Sequence, residues 1–339
     1  MTKIRQLYFF DKKYAKEMIS FLNNDDTFVN NVVFNPFVPF HHLLPLRFKF
    51  FPESYVLKEQ NEMKGLITIV PTKSPLKQME IQKLLFEENC YNDAEDLIQY
   101  VVSKYKAMGT SSIIVRIDDY LTDLIKIFIA KCGFSQISFE KLWNSKQKDC
   151  LPAQDYETKF NPKRFRSFRN SDAAMMTNIY EEELLPHIRP LLSKEPNEFK
   201  DSALKGLSFY TDYKYVYRDE KSKKVYAFLL IKTMDNINFV LDIIRSSWDD
   251  INVDEIISFA YYQIKKRTNK AKLFIKTKKY TQQSEQHEKE LTNMNFECTQ
   301  NKVILTNSSA RVIKTDVSEK KYTVLSQFYS GLSVTNKIS

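Results

Sequence analysis

Cysteine and histidine side chains supply many metal ligands and nucleophiles, so their spacing limits the chemistry that this chain can perform. The four cysteines are Cys90, Cys132, Cys150 and Cys298. They lie far apart and form no CxxC pair, which indicates neither a zinc ribbon nor a disulfide framework. The four histidines are His41, His42, His187 and His287. Two are adjacent and cannot share one helix face, and two stand alone, so we expect surface or packing roles and no metal site. We expect reduced thiols, with Cys132 in the core.

Glycine is scarce, and this scarcity excludes several classes of site. Only five glycines occur, at positions 65, 109, 133, 206 and 331. The motifs GxGxxG, GxxxxGK[ST] and GxSxG need closely spaced glycines. No two glycines here are close enough, so the sequence contains no P-loop, Rossmann fingerprint or hydrolase elbow.

The size and composition are typical of a globular protein. With 339 residues, 43% of them hydrophobic, two domains of roughly 150 residues each are expected. No stretch approaches the ~18 apolar residues that cross a bilayer, because Pro45, Arg47 and Lys49 interrupt the apolar run 43–51. The start, MTKIRQLYFFDKKYA, has no apolar region and no cleavage site of an export signal. We therefore expect a cytoplasmic protein with no membrane partner.

Strands and helices alternate in the predicted first half. A long amphipathic helix over 93–107 buries one apolar stripe, and Gly109 is expected to end it in a left-handed conformation. No clean period appears over 27–53. The predicted order is strand 3–9, a helix after Asp11, hairpin strands 54–60 and 64–72, strand 79–87, helix 93–107, strand 112–117, helix 120–131 and strand 135–143.

The second half repeats this order. Asp172 takes the place of Asp11, 161 positions later, and Asn295 takes the place of Gly133, 162 positions later. A near-constant offset is what a duplicated domain produces. The predicted elements are a strand and helix over 164–185, a hairpin over 214–233, strand 236–244, helix 252–266 and strands 272–276 and 302–306. The predicted divisions are a first domain 1–148, a linker 149–163, a second domain 164–315 and a tail 316–339.

The order of elements resembles the GCN5-related N-acetyltransferase (GNAT) family, in two tandem copies that cover nearly the whole chain. The most specific local element is AKCGFSQI (130–137), which is similar to the family's Gly-Phe turn. Gly133 can end a helix at positive φ while Phe134 enters the core. The resemblance implies an α/β fold of two GNAT-like domains, each a mixed, splayed sheet flanked by helices. It also implies a splay beside the strand 79–87, which we expect to part from 64–72.

In this family a loop at the start of the long helix binds the diphosphate of acyl-coenzyme A, and the loop here reads FEENCYNDAEDLI (86–98). Fitting the helix places Asn89, Asn92 and Ala94 at the motif positions. The resemblance therefore implies an acetyl-CoA or other acyl-CoA site, formed by Leu84, Phe86, Asn89, Asn92, Asp93 and Ala94. The acidic side chains of this loop oppose a diphosphate, so an ordinary acidic helix start stays an equal alternative.

The second copy departs further from the family pattern. The same fit places Trp248, Ile251 and Val253 at the motif positions, and β-branched residues are unsuited to a close approach of phosphate. We therefore expect the first copy to hold the cofactor. The second copy would then have a structural or substrate-shaping role.

The resemblance implies attack of an amine on a thioester, which needs a base and often an acid. The position where family members commonly have a tyrosine acid holds Ile129 in the first copy and Leu291 in the second, and neither can donate a proton. Glu80 and Glu87 are the candidate catalytic bases, because they lie along and at the end of the strand 79–87. Solvated charges at a strand edge are the alternative reading of both residues.

Three functions stay open at this point. The first is acyl-CoA-dependent acyl transfer, most simply acetyl transfer, to a small-molecule or peptide amine. The second is a non-catalytic binding or sensing protein of the same fold. The third resembles the tandem-domain aminoacyltransferases that use charged tRNA, which the net charge of +9 would suit. No RNA-binding signature with interleaved aromatics accompanies the basic runs 163–166 and 265–279, so they favour a solvated lysine-rich surface over a nucleic-acid partner. A monomer is expected, because a tandem copy can replace a dimer contact.

Overall fold

The computed structural model describes residues 3–7, 53–59, 62–73, 77–86, 90–201, 211–233, 235–246, 251–308, 311–314 and 322–325. Its first half alternates strands with helices in the predicted order. The strands are β1 (Lys3–Gln6), β2 (Glu53–Glu59), β3 (Glu62–Lys73), β4 (Gln78–Phe86), β5 (Ser112–Asp118) and β6 (Ser135–Asn144). The helices are α1 (Tyr91–Ala107) and α2 (Thr122–Lys126), and a π-helical turn (Ile127–Lys131) continues α2.

The second half begins with short helices and then repeats the pattern. Its helices are α3 (Lys146–Asp149), α4 (Gln154–Glu157), α5 (Ala173–Glu183), α6 (Arg189–Leu192), α7 (Pro196–Phe199), α8 (Val253–Lys265) and α9 (Ser284–Asn293). Its strands are β7 (Phe165–Ser167), β8 (Thr211–Arg218), β9 (Val225–Thr233), β10 (Asn238–Arg245), β11 (Lys272–Lys278) and β12 (Glu297–Ser308). Single 3-10 turns precede β7 (Pro162–Arg164) and α5 (Asn170–Asp172).

The predicted helix ends are confirmed where glycine or asparagine has to adopt a left-handed conformation. Gly109, beyond the end of α1, has φ 91° and Gly133 has φ 69°. Asn295, at the position that matches Gly133, has φ 61°. Phe134 and Phe296 directly follow these two turns and are buried. The Gly-Phe turn and its Asn-Phe copy therefore have the same structural role. Each ends a helix and places the following phenylalanine in the core.

Both halves contribute to a single sheet of twelve strands, in the order β1-β2-β3-β4-β5-β12-β6-β11-β10-β9-β8-β7. The closing strand of each half lies in the sheet of the other half. β12 runs antiparallel between β5 and β6, and β6 runs antiparallel between β12 and β11. Because β6 and β12 are equivalent strands, the two halves are related by an approximate two-fold axis between them. Glu140 on β6 and Lys302 on β12 are direct partners close to this axis.

Helices cover both faces of this sheet. Phe139 and Trp143, four residues apart on β6, point to one face, where Phe139 packs on the α1 cluster and Trp143 belongs to the α8 cluster. The two long helices therefore share one face. Ala173, Met176 and Tyr180 of α5 pack on the opposite face, which carries the third large core.

The stretch 149–163, predicted as a linker, packs against the second half. The Tyr156 and Tyr261 rings stack with centroids 4.8 Å apart, and Phe160 contacts Phe259 edge-on at 5.3 Å. Tyr156 and Phe160 are both part of the α8 core. Large aromatic side chains contribute strongly to such packing, so this connection is packed against the core of the second half.

Several predictions concern residues outside those that the structure describes. They are the helix after Asp11, the segment 27–53 apart from Glu53, and most of the tail 316–339. Near that tail, β13 (Arg311–Lys314) pairs antiparallel with β14 (Tyr322–Leu325). Among the described helices, none is long and apolar enough to cross a membrane.

Candidate functional site

A gap opens in the first half where β4 leaves β5. The two parallel strands pair from Gln78 with Ser112 to Ile81 with Val115, and no further. β4 continues to Phe86 with β3 as its neighbour. The splay therefore lies between β4 and β5, and the expectation that 79–87 would part from 64–72 is wrong, because those segments stay paired from Gly65 to Lys73. Parting strands leave room for an extended ligand between two backbones.

A β-bulge marks the point at which the strands part. Ile69 pairs with Ile81, but the preceding Thr68 pairs with Lys83, so Gln82 is an extra residue in β4. A bulge bends its strand and re-aims the side chains that follow it. The equivalent strand β10 pairs with β9 without any shift of register. The bulge therefore distinguishes the first copy from the second.

Lys83, directly after the bulge, is the functional candidate that the sequence analysis missed. It points to the face opposite α1, on the same side as its partner Thr68, whose Oγ1 lies 2.8 Å from Ser54 Oγ. Lys83 is 3% exposed, and no hydrogen bond or ion pair joins it to another described residue. Burial lowers the pKa of its ammonium to about 8. Its position in a largely apolar strand, QMEIQKLLF, was the available signal.

The start of α1 faces the end of β4, and its first turn has main-chain donors without intrahelical partners. Cys90 at the N-cap contributes no side-chain hydrogen bond, and the Asp93 amide donates to Cys90 O at 3.1 Å. Asn92 is exposed and Asp93 is half-buried. Ala94, in contrast, is buried in the α1 core, so its side chain has a packing role.

The remaining predicted cofactor residues line the last turn of β4. Leu84 packs on the α1 core, and the Phe86 ring lies 5.7 Å from the Tyr91 ring. These positions place both side chains beside the start of the helix. Glu87 and Asn89 lie outside the described residues, so their roles stay predictions.

Glu80 lies on the same face of β4 as Lys83, but it belongs to an ionic network. Arg116 Nη1 donates to Glu80 Oε1 at 2.6 Å, and Arg116 Nε donates to Glu140 Oε2 at 3.2 Å. The Tyr280 hydroxyl donates to Glu140 Oε1 at 2.6 Å. Burial alone would raise the pKa of Glu140, but Arg116 and Lys276 outweigh it and lower this pKa to about 2. Glu80 is therefore part of a network that also contains Arg116, Glu140 and Tyr280.

In the second half, the polar side chains at the corresponding strand end and helix start bind other parts of the protein. β10 and β11 pair from Asn238 with Lys272 to Asp242 with Lys276, and then part. Arg245, at the end of β10, reaches α9, with Nη1 3.4 Å from Glu290 Oε2 and Nη2 3.3 Å from Gln283 O. The Asn252 side chain accepts a hydrogen bond from the Glu255 amide at 3.0 Å and caps α8. This helix start is therefore already satisfied.

The four cysteines form no disulfide, and one of them, Cys90, lies at the N-cap of α1. All four cysteines are free, and Cys132 is buried in the core as expected, where burial and Glu95 raise its pKa to about 12. Within the described residues, no three His, Cys, Asp or Glu side chains are grouped to hold a metal ion. Ile129 is 41% exposed and Leu291 is buried, so neither lies in a special environment for its type.

Solved structures share this architecture. No protein-family model matches the chain, and no curated protein sequence does. A tandem GNAT protein from the clavulanic acid biosynthesis pathway, solved without AcCoA, aligns with a TM-score of 0.60 at 9% identity, over 91% of this chain and 98% of that chain. A GCN5-related N-acetyltransferase from Sphaerobacter thermophilus aligns equally well, with a TM-score of 0.60 at 9% identity, over 91% of this chain and 95% of that chain. The protein therefore has the tandem GNAT fold, with two copies of the unit in one mixed sheet flanked by helices.

Proposed function

We propose that the protein is an acyl-CoA-dependent N-acyltransferase whose active site is the gap between β4 and β5. One observation carries this proposal: the strands part at a β-bulge, and the next residue is a buried lysine with a pKa of about 8. The fold similarity supports the reaction class, since both similar structures are named as GNAT proteins.

The residues around the gap suit a coenzyme A thioester. Beyond Ile81 and Val115 the backbones of β4 and β5 no longer pair with each other, so an extended pantetheine chain would fit between them. The first turn of α1, around Asn92, would offer main-chain donors to the diphosphate, apart from the Asp93 amide, which already donates to Cys90 O. Leu84 and Phe86 would flank the chain that joins these two parts. Bound there, an acyl-CoA would supply an activated acyl group.

Lys83 would accept the proton that the incoming amine must lose. A general base works best when its pKa is close to the working pH, and burial has brought the pKa of Lys83 to about 8. Near pH 8 about half of the Lys83 side chains are therefore neutral. Glu80 stays a proposed base as well, but its ion pair with Arg116 makes Lys83 the stronger candidate.

The second half would support the first without binding a cofactor. Arg245 already bridges β10 and α9, and Asn252 caps α8. This assignment keeps the expectation that the first copy holds the cofactor and that the second has a structural or substrate-shaping role.

Thermal unfolding with acetyl-CoA, free CoA or no ligand tests the proposal first, because a ligand that binds only folded protein raises the melting temperature. Release of free CoA thiol in the presence of a panel of primary amines then tests turnover. Lys83→Met should abolish most turnover and retain the thermal shift. Lys64→Met, on the neighbouring strand β3, is the matched control and should leave both unchanged.

Two results would reject the proposed function. A thermal shift with CoA but no turnover with any amine would indicate a binding or sensing protein. A shift with aminoacylated tRNA and none with acetyl-CoA would indicate the aminoacyl-tRNA-dependent reaction. Equal turnover by the wild type and Lys83→Met would show that Lys83 is not the base. Glu80 and Glu87 would then be the candidates to test.

A further inference from the structure

A second cavity, of about 300 Å³, lies on the α5 face of the sheet and joins the two halves. Its walls come from β3, β4 and β5 of the first half and from α5, the segment from α6 to α7, β10 and β11 of the second half. The charged lining residues are Glu80, Arg116, Lys194, Glu198, Asp242 and Lys276. The volume is at the lower end of the range for small-molecule sites.

The carboxylates that line this cavity are already engaged. Glu80 accepts from Arg116 at 2.6 Å. Asp242 lies between two lysines, with Oδ2 2.7 Å from Lys276 Nζ and Oδ1 3.1 Å from Lys278 Nζ. Glu198 Oε1 accepts from the Glu195 amide at 2.7 Å. Glu80 and Asp242 are therefore paired with cations of the protein, and Glu198 is bound to a main-chain amide.

Three donors of the wall, in contrast, have no acceptor among the described residues. Lys194 forms no ion pair there, and its ammonium lies 5.4 Å from the centre of the Tyr180 ring. Arg116 uses Nε and Nη1 for the two glutamates, so Nη2 stays available. Tyr180 is 4% exposed, lines the cavity, and its hydroxyl makes no hydrogen bond to a described residue. A hydroxyl in this position can form a hydrogen bond with a molecule in the cavity.

The lowered pKa of Lys194 is consistent with a site where an anion would bind favourably. Burial is the main reason that the pKa of Lys194 falls to about 8, and the cations Lys232 and Lys276 lower it further. An anion beside Lys194 would restore its charged form. No carboxylate of the wall supplies that charge at ion-pair distance.

We propose that this cavity binds a small organic molecule with one carboxylate, held by Lys194, Tyr180 and the free Nη2 of Arg116. Arginine and lysine both form strong charge-assisted hydrogen bonds with carboxylate oxygens. The cavity offers space for an organic body of several carbon atoms next to Ile114 and Leu192, which also line it. A second carboxylate would meet Glu80, Glu198 or Asp242, so monocarboxylates are favoured over dicarboxylates.

Thermal unfolding and isothermal titration calorimetry of the full chain test this proposal without any acyl-CoA, so the outcome is independent of the proposed function. The probes are sodium acetate, butyrate and benzoate, with butyramide, succinate, phosphate and chloride as comparisons at equal ionic strength. Butyrate or benzoate should raise the melting temperature, and butyramide should not. Lys194→Met and Tyr180→Phe should each weaken binding at least about tenfold.

Lys266→Met is the matched control, because Lys266 also lies over a tyrosine ring, Tyr262, at 4.1 Å but is outside the cavity. It should bind the carboxylates as the wild type does. Three results would overturn the proposal: no carboxylate raises the melting temperature, phosphate or chloride raises it as much as butyrate does, or Lys194→Met and Tyr180→Phe both bind like the wild type.

Discussion

Glu140 and Lys302 face each other across β6 and β12, and each occupies the same position in its own half. Their partners also correspond. Lys302 Nζ lies 3.2 Å from Asp118 Oδ1 on β5, and Glu140 pairs in register with Lys278 on β11, the strand equivalent to β5. The signs of charge are reversed between the halves, so two copies of one unit have become electrostatically complementary at their shared centre.

The ion pair between Lys302 and Asp118 should be important for stability, because both side chains are almost fully buried. Lys302→Met leaves a buried carboxylate without this cation, and such losses cost about 3–5 kcal/mol. Urea unfolding measures this cost. The double variant Lys302→Met/Asp118→Asn should recover much of it, and a double variant as unstable as the single one would contradict this account.

Glu140 should make stability depend on pH in a defined window. Its pKa falls from 4.5 to about 2 on folding, so the stabilisation is complete above pH 4.5 and is lost as the pH falls towards 2. A shift of this size corresponds to about 3 kcal/mol. The free energy of unfolding of Glu140→Gln should therefore lie below that of the wild type at pH 7 and 5, and the difference should shrink at pH 4 and 3. A difference that stays constant to pH 3 would show that Glu140 is not the titrating group.

The two left-handed turns permit a matched comparison. Gly133→Ala should destabilise the protein by about 1–2 kcal/mol, because alanine is strained at positive φ, while the added Cβ would meet only Asn307 Nδ2 at 3.5 Å. Asn295→Gly should be neutral or slightly stabilising, since φ is already 61° there. Thermal unfolding of both variants checks the pair. A tolerated alanine at position 133 would mean that the turn relaxes.

The exchanged strands should hold the two halves together after the chain is cut. A protease site inserted between the exposed residues Thr158 and Lys159 separates β6 from β7 in sequence, but β6 stays between β11 and β12. Both fragments should elute together from a sizing column and separate only in urea. Fragments that separate in buffer would contradict a shared sheet.

The Lys83 proposal has a kinetic signature. If neutral Lys83 is the base, log kcat/KM should rise with pH and level off above about 8, the pKa of its ammonium. Lys83→Arg should retain the positive charge but lose the rise in this range, because arginine stays protonated. An unchanged profile in Lys83→Arg would assign the pH dependence to another group.

Local signals in the sequence predicted much of the fold. The period of α1 and the turns at Gly109, Gly133 and Asn295 depend on neighbouring residues only, and the structure confirms all of them. The exchange of β6 and β12 was not predictable in this way, because the alternating pattern of a strand does not show which strands will pair with it. The bulge at Gln82 depends on register, so Lys83 could be recognised as a candidate only when Thr68 was placed beside it.

The candidate site was also predicted only in part, because its contacts join residues that are distant in the sequence. Glu80 appeared as a solvated or catalytic carboxylate because its partners, Arg116 and through it Glu140, are 36 and 60 positions away in the sequence. Ala94 matched a family motif, but the face of α1 on which it lies directs it into the core. Motif fitting selected the start of α1, and it could not separate a packing residue such as Ala94 from residues that would bind a ligand.

The position of β12 has a consequence for how this chain is made. Ribosomes release the amino-terminal half first, yet the strand that fills the space between β5 and β6 ends at Ser308. The edges of β5 and β6 that pair with β12 therefore stay unpaired while more than a hundred further residues are synthesised. We expect the first half to reach its native state only after β12 has been synthesised, and to depend on chaperones until then.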